Sequence, residues 1–76
     1  MQDDSEILRA AGFTMEQCVF RMPHGEGVYK VYLPLDTRSG KWELTYTVPY
    51  KTLVSFPPTT ERGVLNWVRK HKAGKV

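Results

Sequence analysis

The chain has 76 residues, 41% of them hydrophobic and 25% charged, with eleven Lys and Arg against eight Asp and Glu and a formal net charge of +3. This composition argues against disorder and fits one small α+β domain, residues 1–76, whose core is limited to one sheet face and a helix. The single cysteine, Cys18, excludes an intramolecular disulfide and a cysteine-based zinc site, and the mild basicity admits a polyanionic partner without requiring one.

The N-terminus, Met1-Gln2-Asp3-Asp4, is acidic and no apolar run follows it, so no typical secretory signal is expected. The chain opens on methionine and reads as a complete protein. The lone thiol points to a reducing, cytoplasmic compartment. Apolar stretches are a few residues long, far short of the ~20 that span a bilayer, so no membrane role is expected.

Asp3, Asp4 and Ser5 supply N-cap chemistry for a short helix over residues 6–11, with Ile7, Leu8 and Ala11 on its apolar side and Gly12 as its stop. Two turns do not hold themselves together in water, so this helix must dock on a sheet through Ile7, Leu8 and Phe13. Residues 17–22 read as a strand whose Arg21 faces water, which sends Cys18, Phe20 and Met22 inward. Pro23-His24-Gly25-Glu26-Gly27 reads as the turn to a second strand over 28–33, with Tyr29, Val31 and Leu33 inward and Lys30 outward. Asp36-Thr37-Arg38-Ser39-Gly40 is a polar loop. The third strand, 42–48, alternates cleanly: Trp42, Leu44, Tyr46 and Val48 on one face, Glu43, Thr45 and Thr47 on the other. Pro49 ends it.

Residues 53–56 suggest a fourth, edge strand. After Pro57-Pro58, Thr59 or Thr60 caps a helix that Gly74 ends. Val64, Leu65, Trp67 and Val68 form its apolar side, and Arg62, Asn66, Arg69 and Lys70 face away. Gly63 costs ~1 kcal/mol relative to alanine in a helix interior, which marks close backbone packing there. Trp42, Leu44, Tyr46 and Trp67 are all expected to be buried. The fold class is therefore α+β: a small antiparallel sheet of three or four strands, with the C-terminal helix on one face and a short N-terminal helix.

Two surfaces stand out as binding candidates. The basic C-terminus, with Arg69, Lys70, His71, Lys72 and Lys75, carries more cations than the negative end of a helix needs, and suits phosphates. The outer sheet face gathers Arg21, Lys30, Tyr32, Thr45 and Thr47, with Arg38 and Lys41 at one end. A sheet of this kind can enter a major groove. Glu43 weighs against that use, and a cross-strand pair such as Lys30 with Glu43 is its ordinary explanation. The order of strands followed by a helix is shared with several small DNA-binding domains, which is an analogy of fold alone. Val19, Val28 and Tyr32 would form an exposed apolar patch suited to a protein contact, unless the N-terminal helix covers them.

Chemistry is not expected. His24, His71 and Cys18 match no metal-ligand spacing. Nothing brings Ser39, His24 and Asp36 together as a nucleophile and its base. Gly25-Glu26-Gly27 lacks the helix start and lysine of a phosphate loop. So small a chain also has little room for a pocket of several hundred Å³. The expected function is thus a small non-enzymatic regulatory protein, with no cofactor, no metal and no small-molecule substrate. It would bind nucleic acid through Arg21, Lys30, Arg38, Lys41, Arg69, Lys70, Lys72 and Lys75. The alternative is a protein-binding adaptor or inhibitor, of the kind phage and plasmid genomes encode, acting through Val19, Val28 and Tyr32 or a sheet edge.

Overall fold

The computed structural model describes residues 5–34 and 40–74. Helix α1 (Glu6–Ala10) leads into strands β1 (Thr14–Glu16), β2 (Val19–His24), β3 (Gly27–Tyr32), β4 (Glu43–Val48) and β5 (Lys51–Ser55), and helix α2 (Glu61–Lys72) closes the chain. The strands form one antiparallel sheet in the order β1-β2-β3-β4-β5. The α+β class stands, but the sheet has five strands rather than three or four. Arg38 and Lys75, with Asp36, Ser39 and the capping candidates Asp3 and Asp4, lie outside the described residues.

The additional strand comes from a turn the sequence does not advertise. Glu16 pairs with Val19, leaving Gln17 and Cys18 as a two-residue loop. Both have positive φ, 52° and 67°, the signature of a type I′ turn. Asn-Gly and Asp-Gly are the usual residues there, and Gln-Cys carries neither signal. Residues 17–22 are therefore not one strand, and Cys18 does not point into the core. It is exposed at the hairpin tip. From Val19 onward the expected alternation holds, with Phe20 buried and Arg21 outward.

The next turn is tighter than expected. His24 pairs with Gly27, so the loop shrinks to Gly25 and Glu26, and Pro23 joins β2 opposite Val28. A proline is tolerated there because β1 ends opposite Arg21 and leaves that side of Pro23 without a neighbouring strand. Gly27 is required for another reason. A Cβ on it would meet the Tyr46 ring and the Thr47 carbonyl oxygen at 2.6 Å. The missing side chain lets the Tyr46 ring cross β3, and the Tyr46 hydroxyl donates to the His24 carbonyl at 2.6 Å.

Both helices pack on the same sheet face. Leu8, Phe13, Phe20, Tyr29, Val31, Trp42, Leu44, Tyr46, Phe56, Val64 and Val68 form one buried cluster. Trp67 stays half-buried, packed on Phe56 at 5.5 Å between ring centroids. Trp42 is buried just outside β4, where its backbone exchanges two hydrogen bonds with Thr59 (2.7 and 3.0 Å). That bridge ties the approach to β4 to the residue two places before α2.

Ser5 ties the two helix starts together. Its hydroxyl accepts from the Leu8 N–H as the N-cap of α1 and donates to the Glu61 carboxylate in the first turn of α2. Thr60 caps α2 in turn, accepting from the Gly63 N–H at 3.1 Å. Gly63 is a packing position. A Cβ there would overlap Thr59 Oγ1 and lie 2.9 Å from both Thr59 Cβ and Cγ2, and the Trp42 bridge pins Thr59.

Gly63→Ala sets a helix-propensity gain of ~1 kcal/mol against that overlap. The overlap should win, with a net loss of about 2 kcal/mol from the overpacking, read as a lower urea midpoint. A raised midpoint would show Thr59 free to move. At the other end, Gln17→Asn with Cys18→Gly should raise stability by about 1–2 kcal/mol, because asparagine and glycine adopt the left-handed conformation with little strain. Cys18 of the parent should react with a thiol reagent as fast in the native state as in denaturant. Slow native labelling would contradict the exposed turn.

Candidate functional site

The last two turns of α2 present Arg69, Lys70 and Lys72, all exposed. Arg69 Nη2 donates to Asn66 Oδ1 at 2.5 Å, and Lys70 Nζ lies 5.6 Å from the centre of the Trp67 ring. Lys72 Nζ lies 6.0 Å from the Tyr29 ring centre. Among the described residues none of the three has a carboxylate within ion-pair distance. Among the described residues their charge meets the helix C-terminus, the Asn66 amide oxygen and the Trp67 and Tyr29 rings, but no carboxylate.

His71 does not belong to this patch. It turns inward and packs its ring against Tyr29, Tyr46 and Phe56 at 5.5, 4.9 and 5.7 Å between centroids. The signal was available in the sequence, because Val64, Val68 and His71 follow one another at helical spacing on the buried side of α2. The Tyr29 hydroxyl sits 2.6 Å from His71 Nδ1. When the phenol donates, the neutral imidazole carries its own proton on Nε2. His24 also stacks on Tyr29, 5.7 Å away and tilted by 26°. Burial, and secondarily the neighbouring Tyr46, push the Tyr29 phenol above its ordinary value of 10.0.

The outer sheet face is separate from all of this. Arg21 pairs directly with Lys30, and Lys30 with Thr45. Two like charges face each other across β2 and β3, an arrangement that costs stability unless an anion relieves it. Glu16 lies within 3.3 Å of Arg21 Nε and supplies part of that relief. The expected pairing of Lys30 with Glu43 does not occur. Glu43 lies opposite Tyr32 and accepts from its hydroxyl at 2.9 Å. Lys41 is exposed just before Trp42.

Neither helix covers the outer face, since the buried residues of both join the opposite one. The apolar trio proposed for it is not contiguous. Phe20 opposite Val31 puts Val19 next to Tyr32, which is 38% exposed, but Val28 sits about 13 Å further along β3, beyond Arg21 and Lys30. The sequence-predicted cations thus divide between two layers. Arg69, Lys70 and Lys72 lie on the helical layer, and Arg21 and Lys30 on the bare sheet face.

Among the described residues no group of three or more His, Cys, Asp and Glu is placed to hold a metal ion. No helix in them is long and apolar enough to cross a membrane. An open groove of about 330 Å³ runs between the end of α1, β2 and α2, larger than expected for a chain of this size. Compared with protein-family models, with curated proteins and with solved structures, the chain matches none.

The raised Tyr29 value predicts a pH dependence. The fold holds the phenol proton more tightly than the unfolded chain does, so this contribution is complete below pH 10.0 and is lost as pH rises through the higher folded value. Tyr29→Phe should cost about 1 kcal/mol at neutral pH, from the lost contact to His71, and should flatten the alkaline decline in melting temperature. An alkaline decline identical to the parent's would mean another group causes it.

Proposed function

We propose that this chain is a small, non-enzymatic, cytoplasmic regulatory protein that binds nucleic acid through its phosphates. The observation that carries this reading is the end of α2. Three cations, Arg69, Lys70 and Lys72, stand exposed within four residues and have no carboxylate partner among the described residues. Interaction with the helix dipole accounts for about 0.3–1 kcal/mol per charge and falls off within the last turn, so it does not call for three. Lys75, three residues further along the sequence, extends the run.

The contact is one of position and charge rather than of sequence. Helices that read bases usually present their N-terminal half to the groove. In α2 that half carries Glu61 and the half-buried Gly63 packed against Thr59. Arg21 and Lys30 lie on the opposite layer, so they form a second, independent anion-binding face and not part of the same footprint. Base discrimination, where present, comes from that sheet face with Lys41 and Arg38.

A second reading rests on the bare outer sheet face, where Tyr32 stands next to Val19. That face suits contact with a larger protein, as an adaptor or inhibitor, through Tyr32 and Val19 with Val28 further along.

Titration with duplex DNA at two salt concentrations separates the readings. Neutralising Arg69, Lys70 and Lys72 together should weaken binding to all sequences alike and lower the slope of log K against log salt by up to ~3, about one per lost phosphate contact. Arg21→Gln with Lys30→Gln should leave that slope nearly unchanged and alter the ratio between sequences instead. Silence of the parent at low salt would overturn the nucleic-acid reading and put the protein-binding one first.

A further inference from the structure

The groove between α1, β2 and α2 is lined by Ala11, Met22, Leu65, Val68, Arg69 and Lys72. Its α2 wall is a single helical stripe, since 65, 68, 69 and 72 recur at steps of three and four. The stripe runs about 10 Å along the helix. Its first half is apolar, from Leu65 and Val68, and its second half is cationic, from Arg69 and Lys72. Ala11, the C-cap of α1, and Met22 on β2 close the apolar half from the other side. The groove therefore has a greasy end and a positive end, in that order.

We propose that this groove binds an amphipathic monocarboxylate, with its alkyl tail over Ala11, Met22, Leu65 and Val68 and its carboxylate between Arg69 and Lys72. The size favours a small molecule over a protein segment. A volume of about 330 Å³ is at the lower end of small-ligand pockets, and the two cations at one end match a single anionic head. The apolar half has no use for a bare phosphate. Met22 is an adaptable wall, because its unbranched thioether moulds to tails of different shape. The cations recognise the head by charge-assisted hydrogen bonds, Arg69 with its planar fork and Lys72 as a point charge. The inference stands on the groove alone, so a chain that ignores DNA can still bind such a ligand.

Isothermal titration of the full chain with decanoate, kept below its micelle concentration, tests this. Saturable one-to-one binding is expected, with affinity rising roughly tenfold for each two methylenes from hexanoate to octanoate to decanoate. Arg69→Gln with Lys72→Gln should weaken decanoate by roughly tenfold or more, and both residues are exposed enough for the fold to survive. Ala11→Phe, at a position with ordinary helical φ and ψ, should fill the apolar end and abolish decanoate binding while leaving binding to duplex DNA as it was. Lys70→Gln, outside the groove, should do the reverse. Decyltrimethylammonium, with the same tail and the opposite charge, should show no saturable binding. No saturable heat with decanoate, equal binding of the cationic twin, or unaltered decanoate binding by the folded Ala11→Phe chain would each overturn the proposal. Saturable binding of an acidic, leucine-rich helical peptide with decanoate silent would also overturn it, in favour of a protein partner.

Discussion

Tyr29 is where the sheet and the last helix meet. Its ring is fully buried at the centre of the sheet's inner face, and its hydroxyl ends 2.6 Å from Nδ1 of His71. A buried phenol needs a partner, since leaving it without one costs about 1–3 kcal/mol. The imidazole meets that need and at the same time fills the space between Tyr29, Tyr46 and Phe56. Tyr46 reaches this cluster only because Gly27 leaves its ring room across β3. The orientation of α2 follows from these contacts together with Val64 and Val68 above them. With His71 turned in, Arg69, Lys70 and Lys72 are turned out. The candidate binding surface is thus a by-product of which way one half-buried histidine turns.

The opposite end of α2 is fixed by a different chemistry. Ser5, Glu61, Thr60, Gly63, Thr59 and Trp42 connect the start of α1, the start of α2 and the approach to β4 through caps and a two-bond backbone bridge. None of these contacts is large alone. Ser5 and Thr60 each satisfy an N–H at a helix start, and the bridge pairs the Trp42 and Thr59 backbones. For a chain of this length, whose core is thin, such closures matter as much as area.

How much of this was legible follows from which residues carry their own signal. The alternation in β3 and β4 assigns Tyr29, Val31, Leu44 and Tyr46 to the core without help from tertiary structure, and Val64 with Val68 does the same for α2. The β1–β2 hairpin was illegible because its turn uses Gln17 and Cys18 in a conformation that L-residues resist. Reading 17–22 as one strand absorbed the turn and hid β1. His71 was misplaced because a histidine between two lysines reads as charge, although its spacing from Val68 marks the buried side. The division of the cations between two layers is a property of packing, which no local pattern encodes. Arg21 and Lys30 come together by register and Arg69, Lys70 and Lys72 by helix phase, and only the sheet decides that they face apart.

The two outermost strands have a consequence for how the chain behaves when crowded with copies of itself. An open sheet invites further strands along its free backbone edges. Here β1 is three residues long and ends on Glu16, and β5 opens on Lys51 and carries an extra residue, Leu53, where its register against β4 shifts. A short edge and a bulged, charged edge give an incoming strand no straight ladder to extend. Resistance to fibre growth is therefore built into the two ends of the sheet.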